Sequence, residues 1–118
     1  MEAVDGLLRV TATGRDDSLA EVMAYAQAVI ENAVTKACTR ILCDERRMVY
    51  ALDTVDTFKL AEFTAAHAPR VAKVALVPPP LQVQDAQFWE TVVKNRGLRV
   101  RIFPTVELAE AWLEDMGS

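Results

Sequence analysis

Histidine occurs once and cysteine twice in this 118-residue chain, so the side chains that build zinc sites and disulfide frameworks are nearly missing. Cys38 and Cys43 lie five apart, one before and one inside an expected strand. Extended backbone at that spacing holds their Cα atoms more than about 7 Å apart, too far for a disulfide. Both are expected to be small buried thiols in a reducing compartment. Glycine and proline are scarce, at 4 and 5 residues, and no low-complexity tract interrupts the chain, which argues against disorder beyond the ends. Positive charge is in deficit: 13 Lys and Arg against 17 Asp and Glu leave a net charge of −4. That balance counts against a general nucleic-acid binder and leaves room only for a local basic patch. No apolar run approaches the roughly 20 residues that span a bilayer, and no basic–apolar leader opens the chain, so a cytoplasmic protein without a membrane span is expected.

What is present is a core's worth of hydrophobic residues, 52% of the chain, in one domain-sized length covering residues 1–118. Residues 7–13 alternate as a strand, with Leu8, Val10 and Ala12 on one side and Arg9, Thr11 and Thr13 on the other. Asp5-Gly6 before it is a two-residue hairpin signal, so Ala3 and Val4 are expected to fold back as a short antiparallel strand. Gly14 is expected to end the strand. Ser18-Leu19-Ala20-Glu21 is a capping box, and the helix behind it carries an apolar stripe through Leu19, Val22, Met23, Ala26, Ile30, Ala33 and Ala37.

A second strand is expected over residues 40–44, ending in the charged run Asp44-Glu45-Arg46-Arg47 and an apolar loop through Met48, Val49, Tyr50, Ala51 and Leu52. Asp53 or Thr54 caps the next helix, which Pro69 stops after His67. Its apolar residues split: Val55, Phe58, Ala61 and Ala65 share one face, while Leu60 and Phe63 point elsewhere, which suggests burial on two sides or a partner on one. Residues 71–77 form the third strand, closed by Pro78-Pro79-Pro80. A third helix from Gln84 or Asp85 is expected to bury Phe88, Val92 and either Trp89 or Val93, and to stop at Gly97. Residues 98–103 are the fourth strand; Thr105 caps a last helix whose inner stripe is Val106, Ala109, Trp112, Leu113 and Met116.

The order β-α-β-α-β-α-β-α predicts an α/β fold with a four-stranded, mainly parallel sheet and right-handed crossovers. Strands buried on both faces read as unbroken apolar runs. Here Arg9, Thr11 and Thr13 share a face, Arg99 and Arg101 share a face, and Lys73 interrupts the third strand. Helices mainly on one side are therefore expected, with the other face half polar, locally basic, and either wet or covered by a partner.

The chain resembles the STAS superfamily, and within it a branch of SpoIIAA-like proteins related to lipid-binding folds. The resemblance covers nearly the whole chain. It rests on Leu8-Arg9-Val10-Thr11-Ala12-Thr13-Gly14 opening into a capped helix, on Ile41-Leu42-Cys43-Asp44, and on Leu52-Asp53-Thr54-Val55-Asp56-Thr57-Phe58. The ending, Asn95-Arg96-Gly97-Leu98-Arg99-Val100-Arg101-Ile102-Phe103 followed by Ala109-Glu110-Ala111-Trp112-Leu113, carries most of it. It implies a superhelical turn of strand–helix units and a regulatory or binding role through protein contacts, with no catalytic motif. In the family's anti-sigma-factor antagonists a phosphorylatable serine opens the second helix. The matching stretch here is Asp53-Thr54-Val55-Asp56, so only Thr54 could take that place, between two opposing carboxylates.

Ligands of open parallel sheets gather beyond the carboxyl ends of the strands. The candidate ligand- or partner-binding residues there are Arg15, Asp44, Arg46, Arg47, Tyr50, Thr54, Phe58 and Pro79. Asp44 could serve as a phosphoacceptor or metal ligand with Asp16 and Asp17, but the remaining positions of a receiver-type site are not matched; pairing with an arginine or with loop amides is the plainer role. Gly14 stands alone rather than in a phosphate-cradling loop, and His67 suits a helix C-terminus. No metal, cofactor or catalytic set is indicated. The expectation is a non-enzymatic regulatory or binding domain that contacts a protein partner or a second copy of itself. The alternative is a carrier of a small apolar or amphipathic anion held among residues 46–52, the second helix and the prolines.

Overall fold

The computed structural model describes residues 1–50, 52–69 and 73–115. Ala51, Val71 and Met116, which belong to the expected loop, strand and helix, lie outside the described residues. The fold is α/β: a five-stranded mixed sheet in the order β1-β2-β3-β4-β5, with β1 antiparallel to β2 and every later pair parallel. The strands are β1 (Glu2–Val4), β2 (Leu7–Asp16), β3 (Arg40–Tyr50), β4 (Lys73–Val77) and β5 (Arg99–Ile102). The helices are α1 (Leu19–Thr35), α2 (Thr54–His67), α3 (Val83–Asn95), reached through a 3-10 turn Pro80–Gln82, and α4 (Val106–Glu114). Among the described residues no helix is long and apolar enough to cross a membrane.

Local chemistry accounts for the boundaries. Asp5 and Gly6 both take positive φ, 52° and 78°, as a two-residue hairpin loop twisted to match its strands requires. Ser18 Oγ accepts from the Glu21 amide at 3.2 Å, while the Glu21 carboxylate reaches back to the Asp17 amide at 3.3 Å. Asp53, not Thr54, caps α2 by accepting from the Asp56 amide at 2.7 Å, and Thr105 caps α4 through the Leu108 amide at 3.2 Å. Gly97, at φ 92°, ends α3 in the left-handed region that a β-carbon disfavours.

A parallel sheet whose strands follow chain order places successive right-handed crossovers on one side. Accordingly α1, α2 and α3 pack on one face, where Val29, Ile30, Ala33, Ala61, Ala65, Val92 and Val93 meet Leu8, Val10, Ile41, Val74, Leu76 and Val100. Among the described residues the other face carries only α4, through Ala109 and Leu113 against Leu42, Ala75, Val77 and Phe103.

Several expectations change in detail. Neither Gly14 nor Asp44 ends its strand: β2 runs to Asp16 and β3 to Tyr50, so the expected loop is a two-stranded ribbon reaching past β4, whose register with β3 stops at Asp44. Gly14 stays in the ladder opposite Met48 with φ 95°. Phe88, Val55 and Phe58 are not core residues; Val55 is 61% exposed, and α2 and α3 instead bury Thr57, Ala61, Thr64, Ala65, Ala86, Val92 and Val93. Small residues on the inner side of α2 bring its backbone near the sheet and turn the larger side chains outward.

The chain's own α4 covers part of the basic sheet face, burying Lys73 while Arg9, Arg99 and Arg101 remain exposed. Arg9 pairs with Glu110 at 2.7 Å, and Arg101 lies over the Phe103 ring at 5.3 Å. Lys73 is only 4% exposed. Its Nζ donates to the carbonyls of Trp112 and Asp115 at 2.6 and 2.5 Å and sits 4.6 Å from the Trp112 ring. These carbonyls belong to the C-terminal end of α4, where the helix dipole favours a cation. Burial lowers the Lys73 pKa, against a raising influence from Asp115. Replacing Lys73 with Met keeps the stem and deletes the donor, leaving the helix end uncompensated. K73M is expected to lower unfolding stability by about 1–3 kcal/mol in urea titrations, with the loss seen first in Trp112 fluorescence; unchanged stability would mean that α4 is held by its apolar stripe alone.

Candidate functional site

The feature that organises the site is a β-bulge in β3. Thr11 pairs with Asp44 and Thr13 with Arg47, so Ala12 faces two residues, Glu45 and Arg46. The Asp44 carboxylate fastens it: Oδ1 accepts from the Arg46 amide at 3.2 Å and from Arg46 Nε at 2.9 Å, and Oδ2 accepts from Nη2 at 2.8 Å. These contacts hold the Asp44 pKa below its usual range, the Arg46 side-chain hydrogen bond contributing most. The extra residue shifts the alternation of the strand. Ile41, Cys43 and Glu45 point to the three-helix side before the bulge, and Met48 and Tyr50 do so after it.

Those side chains line a cavity of about 90 Å³ between the sheet and the three helices. From α1 come Val22, Tyr25, Ala26, Val29 and Ile30; from α2, Thr57, Leu60 and Thr64; from α3, Asp85, Ala86 and Trp89. The space exists because short side chains (Ala26, Thr57, Thr64, Ala86) meet at one level on all three helices. The hydroxyl protons of Thr57 and Thr64 are spent on the carbonyls of Asp53 and Leu60, both at 2.9 Å, so these groups keep only acceptor capacity.

Polar groups are concentrated around Glu45, which is 7% exposed. Burial raises its pKa to about 7; the Tyr25 hydroxyl pulls it back, and Asp16 and Asp44 push it further up. Tyr25 Oη is sealed from solvent and makes no hydrogen bond of good geometry, although the Cys43 thiol and Glu45 carboxyl lie near enough to act on its ionisation. Burial, then Cys43 and Glu45, raise the Tyr25 pKa. Burial followed by Glu45 raises that of Cys43, and burial followed by Glu45 and Asp85 raises that of Tyr50. The thiol and both phenols therefore stay protonated at neutral pH. Of these four groups, only Glu45 is brought near neutrality.

Of the eight candidate binding residues read from the sequence, Tyr50 alone enters this cavity, joined by Met48 and Leu52 from the segment expected as a loop and by Leu60 of α2. The Tyr50 backbone is held by the Gln82 side-chain amide, which accepts from the Tyr50 amide at 3.2 Å and donates to the Tyr50 carbonyl. Asp44 and Arg46 form the staple of the bulge. Arg15 pairs with Asp17 at 2.5 Å on the exposed ribbon, where Arg47 lies opposite Thr13. Thr54 is the exposed first residue of α2, Pro79 is buried ahead of the 3-10 turn, and Phe58 lies beneath the Arg96 guanidinium at 5.3 Å. His67 binds the Phe63 carbonyl at 2.8 Å and stacks on its ring, far from any chemistry. Sequence reasoning missed Glu45, Tyr25, Cys43 and Asp85. The available signal was Glu45 itself, which becomes an inward residue once the strand is extended with one extra residue.

No protein-family model, curated protein or solved structure matches the chain.

A carboxyl whose pKa is higher folded than unfolded keeps its proton longer in the folded state, so stability falls as pH rises from the unfolded value, 4.5, to the folded value, about 7. Above that window the penalty is constant, roughly 3 kcal/mol for a shift of this size. Glu45→Gln removes it. The variant should be more stable than the parent at about pH 8 by an amount of that order, and the advantage should vanish below the unfolded pKa, as read by urea titrations across the range. A pH-independent difference would show that Glu45 does not titrate in this window.

Proposed function

We propose that this chain is a non-enzymatic, STAS-like binding domain whose cavity beneath α1, α2 and α3 takes a small, mainly apolar ligand. One observation carries the reading: the Tyr25 hydroxyl, beside the buried Glu45 carboxyl, is sunk into a mainly apolar cavity without the hydrogen bond that would satisfy it. Leaving such a group unpaired costs about 1–3 kcal/mol, and plain hydrophobic residues at these two positions would make a better core. A ligand with a polar end supplies the missing partner. Binding rather than catalysis is supported by the protonation of the site, where Cys43, Tyr25 and Tyr50 are all pushed away from their reactive, ionised forms. STAS-like kinship is supported by the chain-ordered parallel strands β2 to β5, each followed by a helix.

The volume sets the ligand's size. A cavity of about 150 Å³ accommodates benzene, so about 90 Å³ suits an aliphatic group with on the order of five heavy atoms. Titrating isotopically labelled protein with n-butanol is expected to move the amide resonances of Tyr25, Glu45, Ala86 and Trp89 with a millimolar Kd. Ala26→Leu, which fills the space from α1, should abolish those shifts while preserving the spectrum elsewhere. Shifts scattered over the surface, or none up to about 50 mM alcohol, would sink the assignment; ligands this small cannot exceed about 1.5 kcal/mol per heavy atom.

A second reading, contact with a protein partner or with a second copy of this chain, is favoured by different residues. Among the described residues β3 beyond Asp44 pairs with no strand on its β4 side, and Val49 on that ribbon and Leu81 on the 3-10 turn are 48% and 99% exposed. Self-association through this region should appear as a dimer in size-exclusion chromatography with light scattering at tens of micromolar protein. Leu81→Asp should weaken it. A strict monomer at that concentration removes the self-association part.

A further inference from the structure

We propose that the cavity selects a cationic ligand, a small aliphatic amine whose ammonium group sits between the Glu45 carboxylate and the Tyr25 hydroxyl oxygen. This rests on the cavity being a ligand site and concerns the head group that the site demands. The charged groups facing the cavity are carboxyls. Glu45, 7% exposed, and Asp85 bring carboxyl oxygens from β3 and α3. Thr57 and Thr64 on α2 have committed their hydroxyl protons to backbone carbonyls and offer lone pairs only. An ammonium group brings three donors and a positive charge, the complement of those carboxyl and hydroxyl oxygens.

Charge points the same way. The groups that act on Glu45 are Tyr25 from α1, Asp16 from β2 and Asp44 from β3; Cys43 adjoins from β3, and Tyr50 and Asp85 close the same end. Every one is acidic or neutral. Among the described lining residues there is no lysine, arginine or histidine. The nearest cation along the strand, Arg46, is occupied by Asp44 on the opposite side of the sheet. A carboxylate ligand would therefore enter a field of like charge, and an alcohol would leave the Glu45 charge unbalanced. Ammonium balances it and turns the buried carboxyl, otherwise a burden on the fold, into half of an ion pair with several hydrogen bonds. The amphipathic anion expected from the sequence as an alternative ligand meets the wrong sign.

The test uses three probes with one tail: n-butylamine, n-butanol and n-butyrate, titrated at about pH 8 into labelled protein and followed at the cavity amides. Butylamine is expected to bind about tenfold more tightly than butanol, and butyrate not measurably. Glu45→Gln should weaken amine binding about tenfold, well beyond any change in butanol binding, and persisting butanol shifts at the cavity amides show that the cavity survives the change. Lowering the pH to about 6 protonates Glu45 and should weaken the amine alone. Butanol binding as well as butylamine, or amine binding unaffected by Glu45→Gln, overturns the head-group assignment and spares the cavity. Amine shifts confined to surface carboxylates overturn it too. Failure of all three probes at the cavity overturns the ligand site and this inference together.

Discussion

One residue of extra backbone in β3 decides which side chains face the inside of this protein. In a strand with unbroken alternation, Glu45 pointing inward would put Arg47 and Val49 inward as well, and Met48 and Tyr50 outward. The bulge at Glu45 and Arg46 reverses that phase, so that Glu45, Met48 and Tyr50 share the three-helix side while Arg46 and Arg47 stay in solvent. A bulge is a local disruption of the ladder and needs a reason to persist. The Asp44 side chain supplies it by binding the Arg46 amide and guanidinium together. The cavity, its polar end and the reach of the β2–β3 ribbon beyond β4 all follow from that arrangement.

A second constraint comes from strand order. Because each strand is laid beside its predecessor, the three crossover helices crowd one face and leave the other short of cover. The basic residues of that uncovered face are what α4 returns to meet: its inner stripe seals Leu42, Ala75 and Val77, while Lys73 binds the carbonyls at its C-terminal end. A lysine at the start of a buried strand is thus the polar complement of a helix terminus. The two faces divide the labour, one holding a helix in place and the other enclosing space.

The architecture was legible because its signals are local. Asp5-Gly6, Ser18 with Glu21, Thr105 and Gly97 each impose a turn or cap through their own backbone and side-chain chemistry, and each does so in the structure. The alternation of Arg9 and Thr11 against Leu8 and Val10 reported the asymmetry of the sheet. The site was not legible, and the reason is equally physical. A run reading Asp-Glu-Arg-Arg looks like a solvated turn, and only pairing with a strand far away in sequence makes it the middle of a longer strand. Phe58 and Phe88 misled because periodicity reports which residues share a face, not which face the sheet will cover. On α2 the sheet takes the alanine and threonine side, since small residues allow the closest approach.

That closeness bears on why the chain keeps Glu45 at all. A leucine in its place would fill the cavity, remove a titrating group from the interior and release the orphaned Tyr25 hydroxyl from an acidic neighbour. Each change favours folding, and none is present. Burial of a carboxyl beside a phenol, in space bounded by alanines and threonines from three different helices, is costly in three separate ways: desolvation, unsatisfied polarity and lost dispersion contacts. Packing alone offers no compensation for the three together. Occupancy by a molecule with an apolar tail and a donor head compensates all of them at once, since it fills the void, pairs the hydroxyl and answers the charge. The site is therefore best understood as half of an interface whose other half is a ligand.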